Sequence, residues 1–255
     1  MSLEADEPVD SSKKTFLEHL VDLRDTLVRS LLALVIGMII AAPFAPDIFH
    51  VLERPLNQIE NHPELRIFSV MGGFNLVMLV VILSGLIISA PVIVFFIARF
   101  VFPGLTKKER KAVGSFGAAA VLLFIGGVMT GYFLALPVAL EVLLGMGTWM
   151  GPMSEPAAGD YVTFCLYLLL GFGLSFELPV VLILLGHLGL LESSQLRSAR
   201  AYAMVIILIV AMIITPDTSA FSQLVMAVPM IAMYEMSIWI MWVKERRAKS
   251  AKKDD

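Results

Sequence analysis

The sequence predicts an all-α polytopic membrane protein with six transmembrane helices and both termini in the cytoplasm. Three observations carry that fold class. The 255 residues are 58% hydrophobic and only 16% charged, with a mean hydropathy of +0.85, a balance foreign to soluble domains of this size. Apolar runs approaching the roughly 20 residues needed to cross a bilayer recur along the chain. Of the 19 Lys and Arg residues, all but Arg54 and Arg66 fall in segments that alternating spans place on one side. The net charge of −3 adds little, because placement matters and the total does not.

Taken in order, residues 1–14 are acidic and polar and read as a disordered cytoplasmic terminus. Thr15 and Glu18 have the spacing of a capping box, opening the helix TFLEHLVDLRDTLVR. Phe16, Leu20, Leu23 and Leu27 form an apolar stripe on that helix. Glu18, Asp22 and Asp25 form a second, acidic stripe about 200° away. Such a stripe is either a solvated face or a receptor for cations. The apolar run Ser30–Ala42 has the length of a signal-peptide core, but the acidic segment before it makes a poor leader, so an uncleaved first span is expected.

Span one runs from about Val28 to Phe44 and ends at Pro43 and Pro46. The segment DIFHVLERPLNQIENHPELRIFSV is amphipathic enough for short surface helices. Span two covers about Gly72–Phe102, with Pro91 expected to kink it. A basic loop around Lys107–Lys111 precedes span three, about Val113–Val138, where Gly114, Gly117, Gly126, Gly127 and Gly131 suit close helix approach. Residues 139–160 read as a loop with acidic groups and no Lys or Arg. Span four is Tyr161–Leu190. The fifth apolar run, Tyr202–Ile214, is short, and the sixth covers Leu224–Val243. The six spans form one domain, residues 15–243, followed by a basic cytoplasmic tail, 244–255.

Glu177 is the organising residue, a lone acidic side chain near the middle of span four. A carboxylate at mid-depth costs about 2.5–3.5 kcal/mol or more unless it meets water, a partner chain or a proton. Pro179 should bend the helix beside it and free a carbonyl. One reading is a neutral glutamate hydrogen-bonded within the bundle; the other is a polar site open to a substrate or a proton path.

Several chemistries are excluded or left without support. Ser84 and His187 lie on different spans with no nucleophile elbow, so an intramembrane protease is not expected. No P-loop or GxGxxG occurs. The four histidines are scattered without HExxH, and Cys165 stands alone in an apolar span, so no metal, cofactor or disulfide is expected. Nothing points to nucleic acid. A proton-coupled small-solute transporter using Glu177 and Glu141 stays open, although the two halves show no repeat. The other open signal is the acidic stripe together with Glu109, since carboxylates suit the forked guanidinium of paired arginines.

FLEHLVDLR at 16–24, APVIVFFIARFVFPGLTKKER at 90–110, SFELP at 175–179, TPDTSAFSQ at 215–223 and MAVPMIAMYE at 226–235 occur in order. On these motifs the chain resembles the TatC family, the core subunit of the twin-arginine protein translocase, from Phe16 to Val243. The resemblance implies a concave bundle with short fifth and sixth spans in the cytoplasmic (inner) membrane. It implies a receptor for the twin-arginine signal peptides of folded precursors, with Glu18, Asp22, Phe100 and Glu109 at the arginine site. Asp22 stands where the family commonly has Glu, one methylene longer. Glu177 and Gln223 match polar sites linked to TatA- and TatB-like single-span partners. It further implies self-association within a Tat complex, export driven by the proton-motive force, and no enzymatic activity.

Overall fold

Each apolar run folds as a helix because, in lipid, the backbone must satisfy its own hydrogen bonds. The structure, a computed structural model, describes residues 16–59, 63–101, 107–150, 156–187, 189–215 and 219–251. The expected disordered terminus 1–14 and the Thr15 cap lie outside the described residues.

Helix α1 covers Phe16–Ala41, so the amphipathic segment and the first span are one continuous helix. No residue between them breaks the helix, and the break comes at Pro43 in the 3-10 turn Ala42–Phe44. Helix α2, Ala45–Asn57, is the expected surface helix, burying Ala45, Leu52, Pro55 and Leu56. Helices α3 (Gly72–Val101) and α6 (Ala158–His187) run without interruption through Pro91 and Pro179.

Helix α4 (Lys107–Thr130) passes through a π-helical turn, Gly131–Ala135, into α5, Leu136–Met150. In that turn Leu136 donates to the carbonyl of Gly131, five residues back. Pro137 follows directly and has no N–H for the Phe133 carbonyl, which accounts for the local widening. The reading of 139–150 as loop is therefore corrected. LPVALEVLLGMGTWM is apolar and keeps the helix going to Met150.

Helix α7, Ser193–Ser198, is short, and α8, Arg200–Ile214, is the expected short apolar helix. At 1.5 Å per residue its 15 residues span about 22 Å, less than the hydrocarbon thickness. Helix α9, Ala220–Ala251, has 32 residues and carries the sixth apolar run, Leu224–Val243, on into the charged segment that follows. Its apolar stretch is extended at one end by a Ser219-capped turn, where the Ser222 N–H bonds Ser219 Oγ at 3.1 Å. At the other end good helix formers, KERRAKSA, prolong it. Among the described residues, five stretches are long and apolar enough to cross a membrane: Leu20–Asn57, Gly72–Phe100, Gly117–Gly145, Ala158–His187 and Ala220–Arg247.

Helix α6 is the central element, packing on α3, α4, α8 and α9, while α1 packs chiefly on α3. Small residues make the closest approaches. A Cβ at Gly85 would lie 2.7 Å from the backbone N of Met38, and one at Gly37 would collide with the Gly85 carbonyl. Gly127 meets Phe172 and Gly173, and Gly131 meets Phe172. Gly126 faces open space and makes no such approach.

Contacts fix the two ends of the bundle. Arg66, just before α3, pairs with Pro156 and Ala158 at the start of α6, and Tyr161 Oη donates to Leu52 of α2 at 2.6 Å. The end of α1, all of α2 and the starts of α3 and α6 thus share one end, with Arg54 and Arg66. At the opposite end, Ser193 after α6 meets Glu245 of α9, and Lys244 lies 3.2 Å from His187. The start of α1, the end of α3 and the start of α4 belong to that end, with Arg24, Arg29, Arg99, Arg197, Arg200 and Arg246.

Candidate functional site

Because α1 and α3 run antiparallel and touch at Gly37 and Gly85, Asp22 and Phe100 are each 15 residues from the crossing, toward the same end. Both side chains are half-buried. Glu109 belongs to the first turn of α4 at that end, and Glu18 to the first turn of α1. The side chains of Glu18 and Glu109 lie outside the described residues. The helix termini that carry all four residues therefore lie toward the same end of the bundle. Of the acidic stripe, Asp25 is engaged by its neighbour: Arg24 donates to Asp25 Oδ1 from Nη2 at 2.9 Å and from Nε at 3.1 Å.

Glu177 sits in the inner part of α6, 4% exposed, so it is enclosed and not presented on an open surface. Neither carboxylate oxygen has a hydrogen-bond partner among the described residues. The reading as a glutamate bonded within the bundle finds no bond here. Ser175, two residues earlier, is also buried, but its hydroxyl donates to the Gly171 carbonyl at 2.6 Å and is spent there. An enclosed carboxyl group without a partner loses its bonds to water and gains none in return, so its position favours arrival of a donor.

Gln223 is half-buried in the first turn of α9, and its Nε2 donates to the Leu208 carbonyl of α8 at 3.0 Å. That bond ties the short helix to its longer neighbour. Glu141 is exposed on α5, at the Arg54/Arg66 end, away from the arginine-rich one. Among the described residues no group of three or more His, Cys, Asp or Glu could hold a metal.

Sequence reasoning missed three sets of residues. Tyr132 and Tyr161 anchor α2 through their hydroxyls, Tyr132 donating to Val51 at 2.7 Å. Ser193 donates to Glu245 from its backbone N at 2.8 Å and from Oγ at 2.5 Å. Arg197 and Arg246 lie over the ring of Trp242, 5.3 and 4.7 Å from its centroid. Pro55 inside a helix was the available signal for the first set. The others join residues distant in sequence and left no signal.

Comparison with known proteins bears on this arrangement. The profile of the family described as Sec-independent protein translocase protein (TatC) matches residues 18–229. A Sec-independent protein translocase protein TatC of Aquifex aeolicus is 36% identical over 239 residues, covering 92% of this chain and 98% of its own. The TatC protein of Escherichia coli K12 is 31% identical over 240 residues, covering 94% and 90%. A crystal structure of a twin arginine translocase receptor, TatC, superposes with a TM-score of 0.77 at 36% identity, covering 88% of this chain and 98% of that one. These likenesses favour a protein translocase over a small-solute transporter, and with the five membrane-length helices they make the chain a multi-pass protein of the inner membrane. The chain belongs to the TatC family, the Sec-independent protein translocase proteins.

Proposed function

We propose that this subunit is the signal-peptide receptor and assembly platform of a twin-arginine translocase, and not an enzyme. The observation that supports the reading is that the termini of α1, α3 and α4 carrying Glu18, Asp22, Phe100 and Glu109 all lie toward one end of the bundle. Carboxylates on adjoining helix termini suit two consecutive guanidiniums, because each can accept a forked pair of N–H bonds. Phe100 offers an apolar or ring surface beside them. Asp25 already accepts from Arg24, and Asp22 and Glu109 are the proposed acceptors for the guanidiniums, with Glu18 on the same face as Asp22.

In this reading the chain crosses the membrane six times, α8 crossing as a short, thinly covered span, and both termini are cytoplasmic. The basic residues at the arginine-rich end support that orientation. The spans form one concave domain, 15–243, between a cytoplasmic terminus 1–14 and a basic tail 244–255. A precursor bound at the cytoplasmic end then recruits TatA- and TatB-like single-span subunits through Glu177 and Gln223, within a complex of several receptors. Transport of the folded cargo draws on the proton-motive force.

The test is photocrosslinking in membranes, with a crosslinking residue at Phe100 and a precursor bearing two arginines. Crosslinks that vanish when both precursor arginines become lysine support the receptor assignment. Crosslinks insensitive to that change refute it.

A further inference from the structure

The end of the bundle away from α2 holds an assembly that arginine recognition does not use. Helix α7 is fastened across the end of α9 by Ser193 to Glu245, and by Tyr234, whose hydroxyl donates to the Leu196 carbonyl at 2.7 Å. Arg200 donates to Glu235 at 2.6 Å in the same layer. These bonds commit the nearby carboxylates. Glu245 accepts from Ser193, Glu235 from Arg200, and Glu192 from Ser194 while capping α7.

Two of the remaining cations share one aromatic ring. Arg197 and Arg246 are exposed, and among the described residues neither has an ion-pair partner. Both guanidiniums lie over the indole of Trp242, so they are no more than about 10 Å apart. That separation is close to the Debye length in physiological salt, about 8 Å, so the like charges feel each other and favour an anion between or beside them. Their depth is set by sequence. The apolar stretch of α9 ends at Val243 and the charged run begins at Lys244, so Trp242 sits where a span meets the headgroups. Either orientation of the chain leaves this layer at a membrane surface.

We propose that Arg197, Trp242 and Arg246 form a binding site for the headgroup of an anionic phospholipid. The guanidiniums take the phosphate, and the half-buried indole takes the glycerol and upper acyl region. The fastening of α7 to α9 matters because it fixes the distance between cations that come from different helices. The site is separate from the arginine-recognition residues and stands whether or not that reading holds.

The experiment uses the purified full-length protein and native mass spectrometry against vesicles of phosphatidylglycerol or phosphatidylcholine. The parent should retain phosphatidylglycerol preferentially, and the double variant Arg197→Gln/Arg246→Gln should lose at least about tenfold of that preference. Arg197→Lys/Arg246→Lys should keep most of it, and Arg54→Gln, at the opposite end, all of it. Folding is read in parallel from the melting temperature, and the lysine pair keeps the test decisive if the glutamine pair fails to fold. An unchanged preference in the glutamine pair, or its loss in a folded lysine pair, overturns the site. Displacement of the lipid by inorganic phosphate alone would make it a free-anion site. Displacement by a peptide of residues 1–10 would assign it to the chain's own acidic terminus. Either result overturns the lipid proposal.

Discussion

The hydroxyl of Tyr132 donates at 2.7 Å to the carbonyl of Val51, the acceptor in α2 that Pro55 cannot serve. In a helix the Val51 carbonyl would receive the N–H of residue 55, and proline has none. The π turn carries Tyr132, so the widened helix and the proline-interrupted one meet through a single bond. Tyr132→Phe should therefore destabilise the protein by about 0.5–1.5 kcal/mol, the net worth of one hydrogen bond, because Val51 itself is exposed. Pro55→Ala restores the backbone donor, so in the double variant the loss from Tyr132→Phe should shrink. Additive losses in that cycle, read from thermal unfolding in detergent, would refute the relationship. Tyr161→Phe should do less, because Leu52 keeps the Leu56 N–H as a partner.

The glycines predict a contrast within one residue type. Gly85→Ala places a methyl against the backbone of Met38, which cannot move aside as a side chain could. The closest α1–α3 approach must then open, and membrane abundance should fall severalfold. Gly126→Ala adds a methyl where nothing lies within 4 Å and should stabilise the helix by up to about 1 kcal/mol. Equal abundance for the two variants would show that the helices do not depend on that contact.

How much of this was legible follows from the range of each interaction. Hydropathy marked α3, α6 and α8 closely, since a span is a local property of the chain. The joining of the amphipathic helix to span one and the run of α5 to Met150 were missed. A change of polarity marks where a helix leaves lipid, whereas the helix itself stops only at a breaker such as Pro43. Glu177 stood out as a lone charge, but its enclosure and its lack of a partner among the described residues depend on packing against other helices. The bonds between Ser193 and Glu245, 52 residues apart, and between Tyr132 and Val51, 81 apart, have no local signature at all.

For recognition, Glu109→Ala should weaken binding of a twin-arginine peptide about tenfold or more, as one charge-assisted contact is worth roughly 1.5–3 kcal/mol. Asp22→Glu, which lengthens the reach by one methylene, should bind at least as well as the parent. Asp25→Asn should matter least, because that carboxylate already accepts from Arg24. Peptide titration by fluorescence anisotropy orders the three variants. An Asp25→Asn loss equal to that of Glu109→Ala would contradict the assignment.

Glu177 gives the sharpest separation of stability from function. Its carboxyl group is enclosed, and no group among the described residues donates to it. Removing a buried polar group ordinarily leaves an orphaned partner and lowers stability, but among the described residues no such partner would be orphaned. Replacement by an apolar residue of similar length should then be neutral or stabilising. Glu177→Met is therefore expected to melt at or above the parent temperature, to accumulate normally, and to bind the twin-arginine peptide unchanged. If the carboxyl group awaits a donor from a single-span partner, the same variant should lose partner recruitment and export. Glu177→Gln keeps an acceptor of the same reach and should retain part of both. Melting, peptide binding, partner co-purification and export are scored separately on the three proteins. A lower melting temperature in Glu177→Met, with export falling in proportion to abundance, would return the residue to a structural role. Export blocked equally by Gln and Met, with partner assembly intact, would instead point to proton transfer at this carboxyl group. Normal stability with partner assembly and export lost together is the expected result, because an enclosed carboxyl group that accepts no bond from the described residues would gain one when a partner donates to it.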